Sequence, residues 1–226
     1  SRRMLHREHD RAADILGPVP VQSHIAHGDL MDALELLQNR RSVAADQLDE
    51  PAPAGADLDA ILRAGVAAPD HDALRPWRFV IIRGQARASL GEVFARARLA
   101  RAPDSDAAAL EKQRAKPSRA PLVLAVAASV DPDNVRVPAI EQSLSAGATV
   151  NQMQLAANAL GYGAIWLTGP NAHDGQVTEA LGLDFDDRIV GFLYLGTPRA
   201  CPPPKERPDP YRFVTEWNGP REYESL

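Results

Sequence analysis

Apolar residues recur along the chain with two different periods, and the switches between them divide it into elements. From Leu58 they fall at Leu58, Ile61, Leu62, Gly65 and Val66. That spacing of three and four predicts an amphipathic helix. Pro69 is read as its stop, because a residue before proline resists helical angles. Trp77 to Arg83 is rich in aromatic and β-branched residues and predicts a strand. Pro121 to Ser129 (PLVLAVAAS) is a short apolar run bounded by polar residues, as a buried strand would be. Residues 138–160 carry Ala, Leu, Met and Val on several faces and end at Gly161, which predicts a long buried helix, packed in part on a second subunit. Two more strands are predicted at Tyr162–Leu167 and Arg188–Leu195, and further helices at residues 31–40, 84–98, 106–116 and 174–181.

Strands separated by helices imply a sheet with helices on its faces. A dinucleotide-binding fold is disfavoured, because no G-x-G-x-x-G follows a strand; no G-x-x-x-x-G-K-[ST] loop occurs either. Residues 1–30 are charged and then broken by Gly17, Pro18 and Pro20, so they read as an extension ahead of a unit spanning residues 31–226. At the other end, Pro202, Pro203, Pro204, Pro208 and Pro210 predict an extended arm.

Composition narrows the function. The 226 residues are 45% hydrophobic, enough for one sizeable core. A net charge of −5 leaves no broad basic face for nucleic acid. No apolar run approaches the ~20 residues that span a bilayer. Cys201 is the only cysteine, so no intrachain disulfide forms. These features, with no secretory signal, lead to the expectation of a cytoplasmic protein.

Four segments carry candidate chemistry. Arg40-Arg41-Ser42 offers two guanidiniums and a hydroxyl suited to a phosphate; equally, cations stabilise a helix C-terminus. His71, flanked by Asp70 and Asp72 in a helix-to-strand loop, could serve as a base or as a loop hydrogen-bonder. No second His or Cys stands at metal-ligand spacing, so no metal site is expected. The turn Trp166-Leu167-Thr168-Gly169 ends a strand and could present backbone N–H groups to a ligand, or simply end the strand. Lys205 and Arg207 sit on the proline-rich arm, placed to close over an anion or to be solvated.

In this order the segments resemble the FMN-dependent nitroreductase family, in its small, compact-chain branch. The matching pieces are MDALELLQNRRS (31–42), ILRAGVAAPDHDALRPWRFVII (61–82), SAGATVNQMQLAANALGYGAIWLTG (145–169), IVGFLYLGTP (189–198) and PPPKERPDP (202–210). The resemblance implies an α+β fold, a mixed sheet flanked by helices, in an intertwined homodimer with FMN at the interface. Arg40 and Ser42, with Arg41 alongside, match positions near the flavin phosphate and ribityl chain. His71 matches a position that approaches the cofactor, with the second subunit as a candidate source, and is the candidate catalytic residue. Trp166, Leu167, Thr168 and Gly169 match the strand end facing the isoalloxazine ring, where a backbone N–H would donate to flavin N5. Lys205 and Arg207 match a late basic pair at the phosphate.

The implied activity is ping-pong reduction of nitroaromatic or quinone acceptors by NAD(P)H. The alternatives are a flavin enzyme for one dedicated metabolite, a flavin-storing or flavin-sensing module without turnover, and a non-flavin structural dimer. Two departures from the family pattern stand out: Ala44 replaces a Lys or Arg common near the flavin N1–C2=O edge, and Arg75 replaces a Gln before Pro-Trp.

Overall fold

The structure, a computed structural model, describes residues 33–203, 205–217 and Gly219. The N-terminal extension, Met31 and Asp32 of the first predicted helix, and Pro204 of the arm lie outside the described residues. The elements are α1 (Ala33–Asn39), β1 (Leu48–Asp49), α2 (Gly55–Val66), β2 (Trp77–Arg83), α3 (Gln85–Arg101) and α4 (Ala107–Ala115). They continue as β3 (Leu122–Ala128), α5 (Ala139–Ala159), β4 (Gly163–Leu167), α6 (Gly175–Ala180) and β5 (Arg188–Pro198).

β5 organises the sheet. One edge pairs with β3, which in turn pairs with β2, and the other edge pairs with β4. Its last residues pair with β1, Leu48 opposite Pro198. All these pairs are antiparallel. The α+β architecture is therefore the expected one, built on an antiparallel ladder.

Strand alternation explains why β3 reads as an unbroken apolar run. Leu122, Leu124 and Val126 face α2 and α5, in one cluster with Leu58, Ile61, Val150 and Met153. Val123, Ala125 and Ala127 face the other side, in a cluster with Leu90, Phe94 and Ala97 of α3. Side chains of a strand alternate between faces, so covering both faces requires apolar residues throughout. Small residues let the layers close. A Cβ on Gly65 of α2 would lie 2.8 Å from the Met153 side chain of α5, and one on Gly91 of α3 would lie 2.3 Å from the backbone oxygen of Arg114.

Three sequence expectations need correction. α2 ends at Val66, before Pro69, because Ala67 already leaves helical geometry (φ −86°, ψ 2°) as the chain enters the loop. The linker after α1 contains β1, a two-residue strand that exists only through its pairing with β5. The arm is extended only in part: a 3-10 turn forms at Pro210–Phe213, where the Asp209 side chain accepts from the Tyr211 N–H. Among the described residues, no helix is long and apolar enough to cross a membrane.

Candidate functional site

The Arg40–Ser42 segment and the C-terminal arm meet although more than 160 residues separate them. The arm is started by a fork: Arg199 donates Nε and Nη2 to the two Asp49 oxygens at 2.8 and 2.9 Å, and its N–H bonds the Gln47 carbonyl. Thr197 Oγ1 donates to the Pro51 carbonyl at 2.8 Å, holding the same corner. The chain then passes over the end of α1, where Arg207 donates to the carbonyls of Gln38 (3.3 Å) and Arg40 (2.6 Å). Arg41 Nη2 donates to the Lys205 carbonyl at 3.3 Å. Opposite, the Val43 N–H bonds the Ala164 carbonyl at 3.0 Å and fixes the segment to β4.

Within this cluster the two arginines divide the roles that the sequence left open. Arg41 Nη1 donates to the carbonyls of Gln38, Asn39 and Arg40, so Arg41 does cap the free end of α1. Arg40 turns the other way, with Nη1 3.3 Å from Ser42 Oγ. Gln154 of the long helix reaches the same hydroxyl at 3.5 Å and the Ala164 carbonyl at 3.3 Å. Among the described residues, no carboxylate forms an ion pair with Arg40, Arg41, Lys205 or Arg207. Arg40 is pulled below the ordinary arginine value, first by burial and then by the charges of Arg207 and Arg41. The Arg41 Nε is buried without an acceptor. Uncompensated guanidiniums and an orphaned donor are what an anion would satisfy. A cavity of about 490 Å³ opens beside them, lined by Arg40, Arg41, Tyr162 and Cys201 among others.

The end of β4 is divided between two cavities, so its four candidate residues do not line one surface. Trp166 lies on the α5 side, in a cavity of about 1080 Å³ shared with Leu144, Gly147 and Val190. Its Nε1 donates to the Val190 carbonyl at 3.0 Å. Gly191 makes room for it, since a Cβ there would sit 2.0 Å from that nitrogen. Leu167, Thr168 and Gly169 instead line a cavity of about 300 Å³ on the α3 side.

His71 stands apart from the arginine cluster, at the start of α5. Its partner is not an adjacent aspartate. His71 Nδ1 lies 2.7 Å from Glu141 Oε2, while Asp70 accepts from the Arg75 N–H at 2.7 Å and Asp72 pairs with Arg136. The loop is held in an unusual backbone: Asp72, Ala73 and Arg75 all have positive φ, between 51° and 61°. Non-glycine residues seldom adopt this conformation, and it concentrates at functional sites. The Glu141 bond, chiefly, raises the His71 pKa, helped by the Glu141 and Asp72 charges and opposed by burial and Arg136. A raised histidine value means that the ion pair contributes fully below the ordinary value of ~6.5 and fades as pH rises through the folded value. We expect the His71 ring resonances to titrate above that ordinary value, and Glu141→Gln to bring the midpoint down; an NMR titration with no difference between the two proteins would refute the pairing.

Gln154, Glu141 and Gly191 were not singled out as site residues from sequence. Gln154 offered a signal, as a polar residue in the middle of a helix predicted to be buried. Gly191 offered another, as a glycine inside an apolar strand, which marks close approach of another group. Among the described residues, no three His, Cys, Asp or Glu side chains gather as a metal site would require.

The nitroreductase family model matches residues 37–197. YdjA of Escherichia coli K12, provisionally named an NAD(P)H nitroreductase, is 47% identical over 186 residues, covering 82% of this chain and 99% of that protein. A Haemophilus influenzae protein with the same provisional name is 35% identical over 167 residues, 74% of this chain and 89% of its own length. Among solved structures, a nitroreductase-like family protein from Bacillus cereus superposes with a TM-score of 0.73 at 22% identity, covering 86% of this chain and all of that one. A Bacteroides fragilis nitroreductase with bound FMN gives 0.63 at 24% identity, over 83% of this chain and 100% of that chain. The structural likenesses speak to the fold; the family match and the two sequence relatives, each spanning most of the described elements, place the chain in the nitroreductase family.

Proposed function

We propose that the protein is an FMN-dependent oxidoreductase that takes reducing equivalents from NAD(P)H and passes them to nitroaromatic or quinone acceptors by ping-pong hydride transfer. In this reading it works in the cytoplasm as a homodimer with the flavin at the subunit interface. The observation that carries the proposal is the group of guanidiniums at Arg40, Arg41 and Arg207, which has no carboxylate counter-charge among the described residues and includes a buried donor without an acceptor. The residues fit the phosphate of a flavin mononucleotide: Arg40 and Ser42 would hold it, with Arg207 and Lys205 of the arm closing beside them. The names of the relatives support the nicotinamide donor.

When bound, FMN would supply the hydride chemistry that links reduced nicotinamide to the acceptor. The protein's share is binding and orientation. Trp166, fixed through Nε1 on Val190, would form a wall of the ring site. Glu141 Oε2, 2.7 Å from His71 Nδ1, orients the ring and favours its protonated form, and His71 would stand in for the basic side chain missing at Ala44. A homodimer is supported by the apolar face that α5 leaves uncovered, where Ile140 and Leu144 are each 64% exposed. The arm also holds Tyr211, Phe213 and Trp217 in the open.

The test is spectroscopic. The purified protein should be yellow, NAD(P)H should bleach it without oxygen, and a nitroaromatic or quinone should restore the colour. A flavin band that NAD(P)H leaves unchanged would reduce the protein to a flavin-binding module. A colourless protein that takes up no FMN would remove the flavin altogether.

A further inference from the structure

Gln154 is a polar residue that packing alone does not explain. It sits on α5 with 5% of its surface exposed, on a helix where Val150, Met153 and Ala157 are buried and apolar. Burying an amide costs free energy unless its groups are hydrogen-bonded. The Gln154 Nε2 has two contacts, the Ala164 carbonyl at 3.3 Å and Ser42 Oγ at 3.5 Å. The sheet does not require the first, because the Ala164 carbonyl already accepts from the Val43 N–H at 3.0 Å. Ala164 does fix which way the amide faces, since a carbonyl accepts only from the nitrogen end. An N–H of Gln154 is therefore directed at Ser42.

That direction decides what Ser42 does. Its hydroxyl oxygen faces Gln154 Nε2 and also Arg40 Nη1, which lies at 3.3 Å. A hydroxyl has two acceptor lone pairs and one proton. With both lone pairs facing donors, the proton is the part left for a ligand. Ser42 is exposed, and its hydroxyl donates to no acceptor among the described residues. A sugar hydroxyl could accept that proton, but only a phosphate oxygen also answers the Arg40 charge.

We propose that Gln154 is a positioning residue of the phosphate site, acting through Ser42, whose hydroxyl it holds as a donor to a phosphate oxygen. The proposal rests on the flavin reading above and adds the residue that sets the polarity of the site. It also accounts for an amide buried in an apolar helix face: an apolar side chain there would leave the Ser42 hydroxyl free to turn its proton away from the ligand.

The test is titration of flavin-free protein with FMN and with riboflavin. Gln154→Met keeps the length of the side chain without the N–H, so FMN should bind about three- to tenfold more weakly, with riboflavin affinity unchanged. Gln154→Glu replaces the donor with an acceptor, which draws the Ser42 proton inward and adds a negative charge beside the phosphate. FMN affinity should then fall by about thirtyfold or more. In a Ser42→Ala background, Gln154→Met should change FMN affinity by less than about twofold, because the group it acts through is gone. That comparison carries no buried charge and stays decisive if Gln154→Glu does not fold. A Gln154 that only supports packing would weaken FMN and riboflavin alike, with or without Ser42, and either result overturns the proposal. FMN affinity unchanged by both Gln154 variants, or by Ser42→Ala, overturns it too. A parent protein that binds FMN and riboflavin equally would instead defeat the flavin-phosphate reading itself, and this proposal with it.

Discussion

Replacing Arg40 with alanine should weaken FMN binding by roughly 10- to 150-fold. A charge-assisted hydrogen bond contributes about 1.5–3 kcal/mol, and each 1.4 kcal/mol is about tenfold in affinity. The same change should leave the flavin-free fold intact. Among the described residues, Arg40 makes one side-chain hydrogen bond, at 3.3 Å to Ser42, and no ion pair. Burial and two neighbouring cations oppose its charge, so removing it relieves repulsion. Fluorescence titration with FMN and a thermal melt of the flavin-free protein read the two effects separately. Equal flavin affinity in the variant would remove Arg40 from the phosphate site. A large fall in melting temperature would mean that Arg40 is structural.

The second large effect is expected from Gly191→Ala. The added Cβ would lie 2.0 Å from Trp166 Nε1, 2.5 Å from its Cδ1 and 3.0 Å from the Leu167 carbonyl oxygen. The two indole distances are shorter than any methyl group tolerates, and the third is tight against the Leu167 backbone, which has little room to give. The indole must leave, and its bond to Val190 goes with it. Overpacking of this kind costs about 1–3 kcal/mol, measurable by urea denaturation. Because Trp166 lines the large cavity beside α5, the variant should also shift the tryptophan emission and weaken flavin binding. Unchanged emission with unchanged stability would contradict the tight seat described for the indole.

Much of this architecture was legible in the chain because the strongest patterns are local. β2 at Trp77–Arg83 matches its predicted limits, and β3 differs from its predicted run by one residue at each end, since continuous apolar and β-branched runs leave little choice of conformation. The long helix, predicted over 138–160 with Gly161 as its stop, spans Ala139–Ala159. What stayed hidden depends on partners distant in sequence. Leu48–Asp49 is a strand only because Thr197 and Pro198 pass beside it. The meeting of His71 with Glu141 requires α5 to start next to the loop, a contact across 70 residues that no spacing rule encodes. Likewise Arg41 was grouped with Arg40, yet its guanidinium is turned back onto the α1 carbonyls, a difference of direction between neighbours that only the folded chain reveals.

The guanidinium cluster as a phosphate cradle is the claim on which the functional reading stands, and riboflavin tests it, being the same ring and ribityl chain without the phosphate. Flavin-free protein titrated with each should take up one FMN per chain and bind riboflavin at least about a hundredfold more weakly, as loss of two or more charge-assisted contacts requires. Equal affinity for the two would contradict the account, because the arginines would then not be holding the phosphate.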